Sequence, residues 1–296
     1  MSEHYPRIRR SSSIRESVSL AFYMRRSHEE VAPAVLQALE VYRRAVGPQA
    51  LGLYVDDEGE WQALDPQGWE GIRESLLHPL GASIDLAGAT DDLDGYAFTY
   101  GGQAFDHPSF PAGPDTTSTV SFHLPTEYLE EHGPGRVREL ALELATGLPF
   151  TSGHAGLSFL LPEALLGITS HIRDDCFRYP GLDIPDPSMA QRLGTRVKGA
   201  YWLTFLGQPV LGELEGVAGL RARLHSPDTH VQEMGDERAV VTLGRWPEAG
   251  DMERGRMLPA YRELARVLEP WLCEFPYRWD GFTQEDMRRW TRRFLD

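Results

Sequence analysis

Apolar residues alternate at Val18, Leu20, Phe22 and Met24, the period-two pattern of a half-buried strand. The period then changes to that of a helix. Ser27 and Glu30 form an S-x-x-E capping box, and behind it Val31, Val35, Leu39, Tyr42 and Val46 recur on one face. A hairpin is expected next, residues 51–55 and 61–64 around the turn Asp57-Glu58-Gly59. Asp65 followed by Pro66 is an N-cap and first-turn signal for a helix running to His78. Residues 83–86 and 96–100 read as further strands.

Residues 104–117 are rich in Pro, Gly and Asp and form the best internal boundary. Beyond them, 119–124 reads as a strand, 126–131 as a helical turn, and a second helix turns Val137, Leu140 and Leu144 inward. A strand at 154–161 is followed by a helix opened by Pro162 and closed before Pro180, then by a proline-containing loop at 179–188. Residues 193–198 read as a loop, 200–205 as a short apolar strand, Gly207 as a turn and Pro209 as the start of a short helix. A second hairpin, 231–234 with 239–243, turns at Gly235-Asp236. The helix expected over 257–273 buries Leu258, Tyr261, Leu264, Leu268 and Trp271 or Leu272. Strands and helices mix without a strict βαβ rhythm, so the fold class is α+β, with room for two fused α+β lobes sharing one core. The expected organisation is a flexible Arg/Ser-rich segment over 1–16 and a single domain over 17–296, with candidate lobes 17–104 and 117–296.

Charge changes the picture more than composition does. The 296 residues carry a formal net charge of -15, unevenly spread. Residues 1–26 hold six arginines against Glu3 and Glu16, and residues 278–296 hold five arginines against four acids. The body between them keeps 18 basic and 38 acidic residues, a net of -20. Such a surface repels nucleic acid, whose binding depends on neutralising phosphates, and it suits a cationic protein partner. Solubility alone also accounts for it. Lys198 is the one lysine beside 28 arginines, which a GC-rich coding bias explains without any mechanism. No apolar run approaches a membrane span, no apolar core follows the N-terminal arginines, and Cys176 and Cys273 form no spaced framework. The expectation is a cytoplasmic protein with reduced thiols.

Candidate chemistry is sparse. His225 and His230 flank Asp228, but no Cys pair or H-E-x-x-H helix accompanies them, and Pro227 marks a turn. His171, Asp174, Asp175 and Cys176 share a predicted helix, where an ion pair beside a buried thiol fits better than a Cys–His dyad lacking an orienting group. Asp91, Asp92 and Asp94 before Gly95 resemble a calcium loop, yet the twelfth position is Gly102 instead of the required Glu. His107 sits in a Pro-rich loop as an ordinary turn histidine, and no nucleophile elbow or phosphate-binding glycine motif is present. No catalytic, cofactor or metal residue is therefore assigned.

Four segments resemble the bacterial type VI secretion immunity family (TsiV-like). They are LPTEYLEEHG at 124–133 with RELALELATGLPFTSGHAGLSF at 138–159, RYPGLDI at 178–184, LGTRVKGAYWLTFLGQPVLGELEG at 193–216, and VVTLGRWPEAGD with PAYRELARVLEP in 240–270. Trp202, Gly207, Gly244, Pro247 and Gly250-Asp251 carry the most specific part of the likeness, and they are scaffold positions. The resemblance implies a non-enzymatic antitoxin that binds and neutralises a cognate secreted toxin, a nuclease with a basic surface acting in the cytoplasm. No cofactor, nucleic-acid partner or membrane is expected. A hydrolase or metal enzyme, and an effector-loading adaptor or chaperone, are the alternatives. The acids best placed to meet a basic toxin are the carboxylates of three turns: Asp56, Asp57 and Glu58; Asp91, Asp92 and Asp94; and Asp183 and Asp186.

Overall fold

A computed structural model describes residues 4–11, 14–88, 95–106, 112–161, 167–274 and 277–296. The chain forms two compact units, the first from Met1–Val18, Ser152–Pro185 and Arg196–Asp296, the second from Ser19–Thr151 and Asp186–Thr195. The fold is α+β, as the mixed pattern requires. The Pro/Gly-rich stretch 104–117 lies inside the second unit, and the chain passes between units at 18–19, 151–152, 185–186 and 195–196.

The chain opens on β1 (Arg9–Ser11), which pairs antiparallel with β2 (Ile14–Met24). This segment packs where a loose tail was expected. Tyr5, Ile8 and Ile14 are buried, and so is Glu16. One Glu16 oxygen accepts from the Arg7 guanidinium at 3.0 Å and the other from the Ile8 N–H at 2.7 Å. The arginine pattern had concealed an apolar set at 5, 8 and 14 and a carboxylate that gathers the chain onto it.

The second unit takes the end of β2 and adds α1 (His28–Val46), β3 (Leu53–Val55), β4 (Trp61–Ala63), α2 (Pro66–Leu76), β5 (Gly81–Ala87), β6 (Ala97–Gln103), β7 (Ser118–Pro125) and α3 (Thr126–Gly147). Ser27 and Glu30 form the expected capping box on α1, which buries Val31, Val35, Leu39 and Tyr42. Asp65 caps α2 by accepting from Gly68 N–H at 2.8 Å. α3 is broken at Gly133, whose φ of 77° and ψ of 164° leave the helical region. Pro134 follows and has no N–H to donate, which is why the sequence reads there as two helices. The strand order runs β7-β6-β5-β3-β4, all antiparallel, and ends on β4.

The first unit resumes with β8 (Ser152–Leu160), buried at every residue, and α4 (Arg173–Arg178). α5 (Pro187–Ala190) belongs to the second unit. The first unit then finishes with β9 (Leu203–Leu206), α6 (Val210–Glu213), α7 (Gly216–Ala222), β10 (Thr229–Glu233), β11 (Ala239–Leu243), α8 (Pro259–Leu268) and α9 (Gln284–Thr291). Its strand order is β10-β11-β9-β8. The 257–273 helix is shorter than its pattern, because Pro270 follows and the chain tightens into a 3-10 turn over Glu269–Trp271. α9 was not expected: only Met287 and Trp290 are apolar and buried in it, too few to show a period. Among the described residues no helix is long and apolar enough to cross a membrane.

Candidate functional site

The three acidic turns have different fates. The first is a true surface feature. Asp57, Glu58 and Glu60 are exposed at the β3–β4 tip, whereas Asp56 builds the turn. Its carboxylate accepts from the Glu58 N–H at 3.0 Å, the Glu60 N–H at 2.9 Å and the Gln62 side-chain amide at 2.8 Å. The bonds from Glu60 and Gln62 hold its pKa below the usual carboxylate value. Asp91, Asp92 and Asp94 lie outside the described residues. Asp186 is half-buried and caps α5 by accepting from the Met189 N–H at 2.9 Å. Asp183, expected on an exposed loop, is buried and presents no charge to a partner.

Asp183 is the centre of a closed polar cluster in the first unit. Lys198 Nζ donates to Asp183 Oδ2 at 2.6 Å and to the Ile184 carbonyl at 2.9 Å. The Tyr201 hydroxyl donates to Asp183 Oδ1 at 2.7 Å. His154, from β8, stacks on the Tyr201 ring with centroids 3.9 Å apart and places Nε2 3.3 Å from Asp183 Oδ2. Burial alone would raise the Asp183 carboxyl, but the Lys198 ammonium, His154 and the Arg293 guanidinium outweigh it and hold the group far below its ordinary value. A buried carboxylate paired with an ammonium and bonded through both oxygens is a fastening, not a reactive group. The lone lysine was the only sequence signal for this cluster: a compact ammonium had been kept in a chain otherwise supplied with arginine.

Two buried histidines give the fold a pH dependence. Burial lowers the pKa of both His154 and His28, whose Nδ1 lies 2.8 Å from the Tyr100 hydroxyl. The ordinary value is 6.5, so the unfolded chain takes up protons that the folded chain resists. Their stabilisation is complete above that value and is lost as pH falls through it toward the folded values. The urea midpoint is expected to drop between about pH 7.5 and about pH 5.5, and His28→Asn is expected to lessen the drop. Unfolding curves at the two pH values check this; an unchanged midpoint contradicts it.

Three contacts join the segments singled out in the sequence, within the first unit. Trp202 is buried and its indole N–H donates to the Gly244 carbonyl at 3.2 Å. Arg178 grips Asp251 with two bonds, at 3.1 and 3.2 Å. At Gly181 a Cβ would overlap the Glu248 carbonyl and lie 2.9 Å from Ala249 Cα, so only glycine allows this backbone approach. The segments 178–184, 196–216 and 240–251 are thus tied together within the first unit.

Among the described residues the remaining candidates gather no reactive set. The His225 and Ser226 N–H groups donate to the two oxygens of Glu263 at 2.8 and 2.9 Å, which pins the loop from outside, and His230 is exposed on β10. His171 is exposed on a 3-10 turn ahead of α4. Burial pushes the Cys176 thiol up to about 12, and its Sγ donates to the Arg173 carbonyl at 3.0 Å. A thiol so placed is not a nucleophile near neutral pH. His107 lies outside the described residues. Among the described residues no three His, Cys, Asp or Glu side chains gather as a metal site.

Comparison with known proteins adds the family. A model of the TsiV family, described as type VI immunity for VRR-NUC, matches residues 34–294. No curated protein sequence matches the chain. Among solved structures, the chain is similar to the Pseudomonas aeruginosa T6SS protein PA0821, with a TM-score of 0.80 and 19% identity over 95% of this chain and 82% of that one. At that identity the likeness is one of fold.

Proposed function

We propose a function from one premise: the chain belongs to the TsiV family, type VI immunity for VRR-NUC. On this reading it binds a cognate toxin delivered by a type VI system and neutralises it. The toxin is a nuclease of the VRR-NUC kind acting in the cytoplasm. Inhibition is stoichiometric occlusion, and this chain catalyses no reaction. The family match over residues 34–294 is the observation that carries the reading.

The net charge of -15 supports it physically. A nuclease must present cations to the phosphates it binds, and an acidic protein speeds its own encounter with such a surface while excluding DNA from it. Co-expression with its cognate nuclease is expected to restore growth, and the two proteins to elute as a stable complex. Titration into a DNA-cleavage assay is expected to reach full inhibition near equimolar amounts. Full inhibition at strongly substoichiometric amounts would mean turnover and overturn occlusion.

A further inference from the structure

The surface that meets the partner can be narrowed by asking where an unpaired backbone edge, an exposed anchor and uncompensated charge coincide. β4 ends the strand order of the second unit. Its register with β3 pairs Val55 with Trp61, Tyr54 with Gln62 and Leu53 with Ala63. Backbone bonds flank this ladder, from Asp56 N–H to the Glu60 carbonyl at 3.0 Å and from Leu64 N–H to the Gly52 carbonyl at 2.8 Å. Inward bonds therefore fall at 60, 62 and 64, and the alternation turns the Trp61 N–H and C=O toward the open side. An open strand edge is a template for another chain.

The same three-residue strand holds the anchor. Trp61 is 50% exposed, in a position where a sheet edge normally carries a charge or proline. Leu77 and Leu80, also exposed, precede β5, and the antiparallel register of β3 with β5 runs the hairpin tip toward that end of β5. The stretch that carries these apolar groups is acidic. Residues 51–88 hold eight acids and one base, Arg73, which pairs with Glu40 at 3.9 Å. Asp57, Glu58 and Glu60 at the tip form no ion pair among the described residues. The groove of about 680 Å³ in the first unit differs on this point. Of its three glutamates, Glu269 and Glu285 are matched by Arg292 and Arg288.

We propose that the β4 edge, with Trp61 as its apolar anchor and Asp57, Glu58 and Glu60 as its acidic rim, is the docking surface for the cationic, phosphate-binding face of the nuclease. The inference rests on the function proposed above and assigns its contact surface. Asp56 belongs to the fold of the tip, and Asp183 has no part in it. A second copy of this chain is a poor occupant, because at a net charge of -15 each copy repels its like.

The test uses the full chain and its cognate nuclease, inactivated in its active site, with association and dissociation followed separately at low and high salt. Trp61→Ala is expected to raise the dissociation rate by about 30-fold with little change in association, as truncation of a buried aromatic anchor does. Replacing Asp57, Glu58 and Glu60 together with Ser is expected to slow association by about tenfold at low salt and to flatten its salt dependence. All four positions are exposed, so circular dichroism should show both variants folded. If the wild-type complex forms and both variants match it, the docking surface is wrong and the immunity reading stands. If no wild-type complex forms, both fall. Light scattering that finds a dimer of this chain dissolved by Trp61→Ala would assign the edge to self-association and overturn the proposal.

Discussion

Replacing Lys198 with Met is expected to lower the unfolding free energy by about 3–5 kcal/mol, because it strands a buried carboxylate. Asp183 is 2% exposed, and its two oxygens are committed to Lys198 and Tyr201. Tyr201 can keep its bond and His154 and Arg293 stay nearby, but none of them replaces the ammonium bonded to Oδ2. Asp183→Asn is expected to be costly for the mirror reason, since it leaves the Lys198 ammonium facing an amide. The double variant Lys198→Met with Asp183→Asn should recover much of the loss, since neither charge then remains. Lys198→Arg is the sharper control. A guanidinium is larger and planar, so the charge is conserved while the packing is not, and about 1–3 kcal/mol is expected to be lost. Urea unfolding of the four variants checks the set. If Lys198→Met unfolds like the wild type, the cluster is not a fastening.

Trp202→Ala should cost about as much, roughly 3–5 kcal/mol, for a different reason. Its indole is 1% exposed and is among the largest side chains fully enclosed in the protein. Truncation removes the transfer free energy of the ring and leaves a cavity between segments that cannot close, since their approach is fixed by contacts such as Arg178 with Asp251. Trp202→Phe retains most of the volume and loses the bond to the Gly244 carbonyl, so about 1 kcal/mol beyond its smaller packing loss is expected. The two variants separate packing from hydrogen bonding in one unfolding series. Near-equal losses would mean that the indole bond, and not the ring, holds the segments.

The local elements of the second unit were legible because their signals are short-ranged. The Ser27–Glu30 capping box, the 4-4-3 spacing of Val31, Val35, Leu39 and Tyr42, and the Asp65-Pro66 start each involve residues within a few turns of one another. The hairpin was legible for the same reason, down to the acids at its tip. Edges of elements were not. The strand expected at 200–205 is regular only over Leu203–Leu206, because Tyr201 reaches Asp183 and Trp202 reaches Gly244. Both partners lie far away in the chain, so no local pattern could announce them.

The acidic set shows the same division. Sequence alone determined the excess of acid, the absence of a recognisable reactive motif and the hairpin that displays Asp57 and Glu58, since charge, composition and turn chemistry are properties of neighbours along the chain. Tertiary structure decided which acids are spent. It buried Asp183 against the single lysine, whereas the Asp186 cap and the Asp56 brace are bonds to near neighbours in the chain. It also left Trp61 exposed on a terminal strand. Whether a carboxylate faces water or an ammonium depends on what the fold brings beside it. That is a matter of contacts between residues distant in the chain, and their identity is fixed only when the chain has closed on itself.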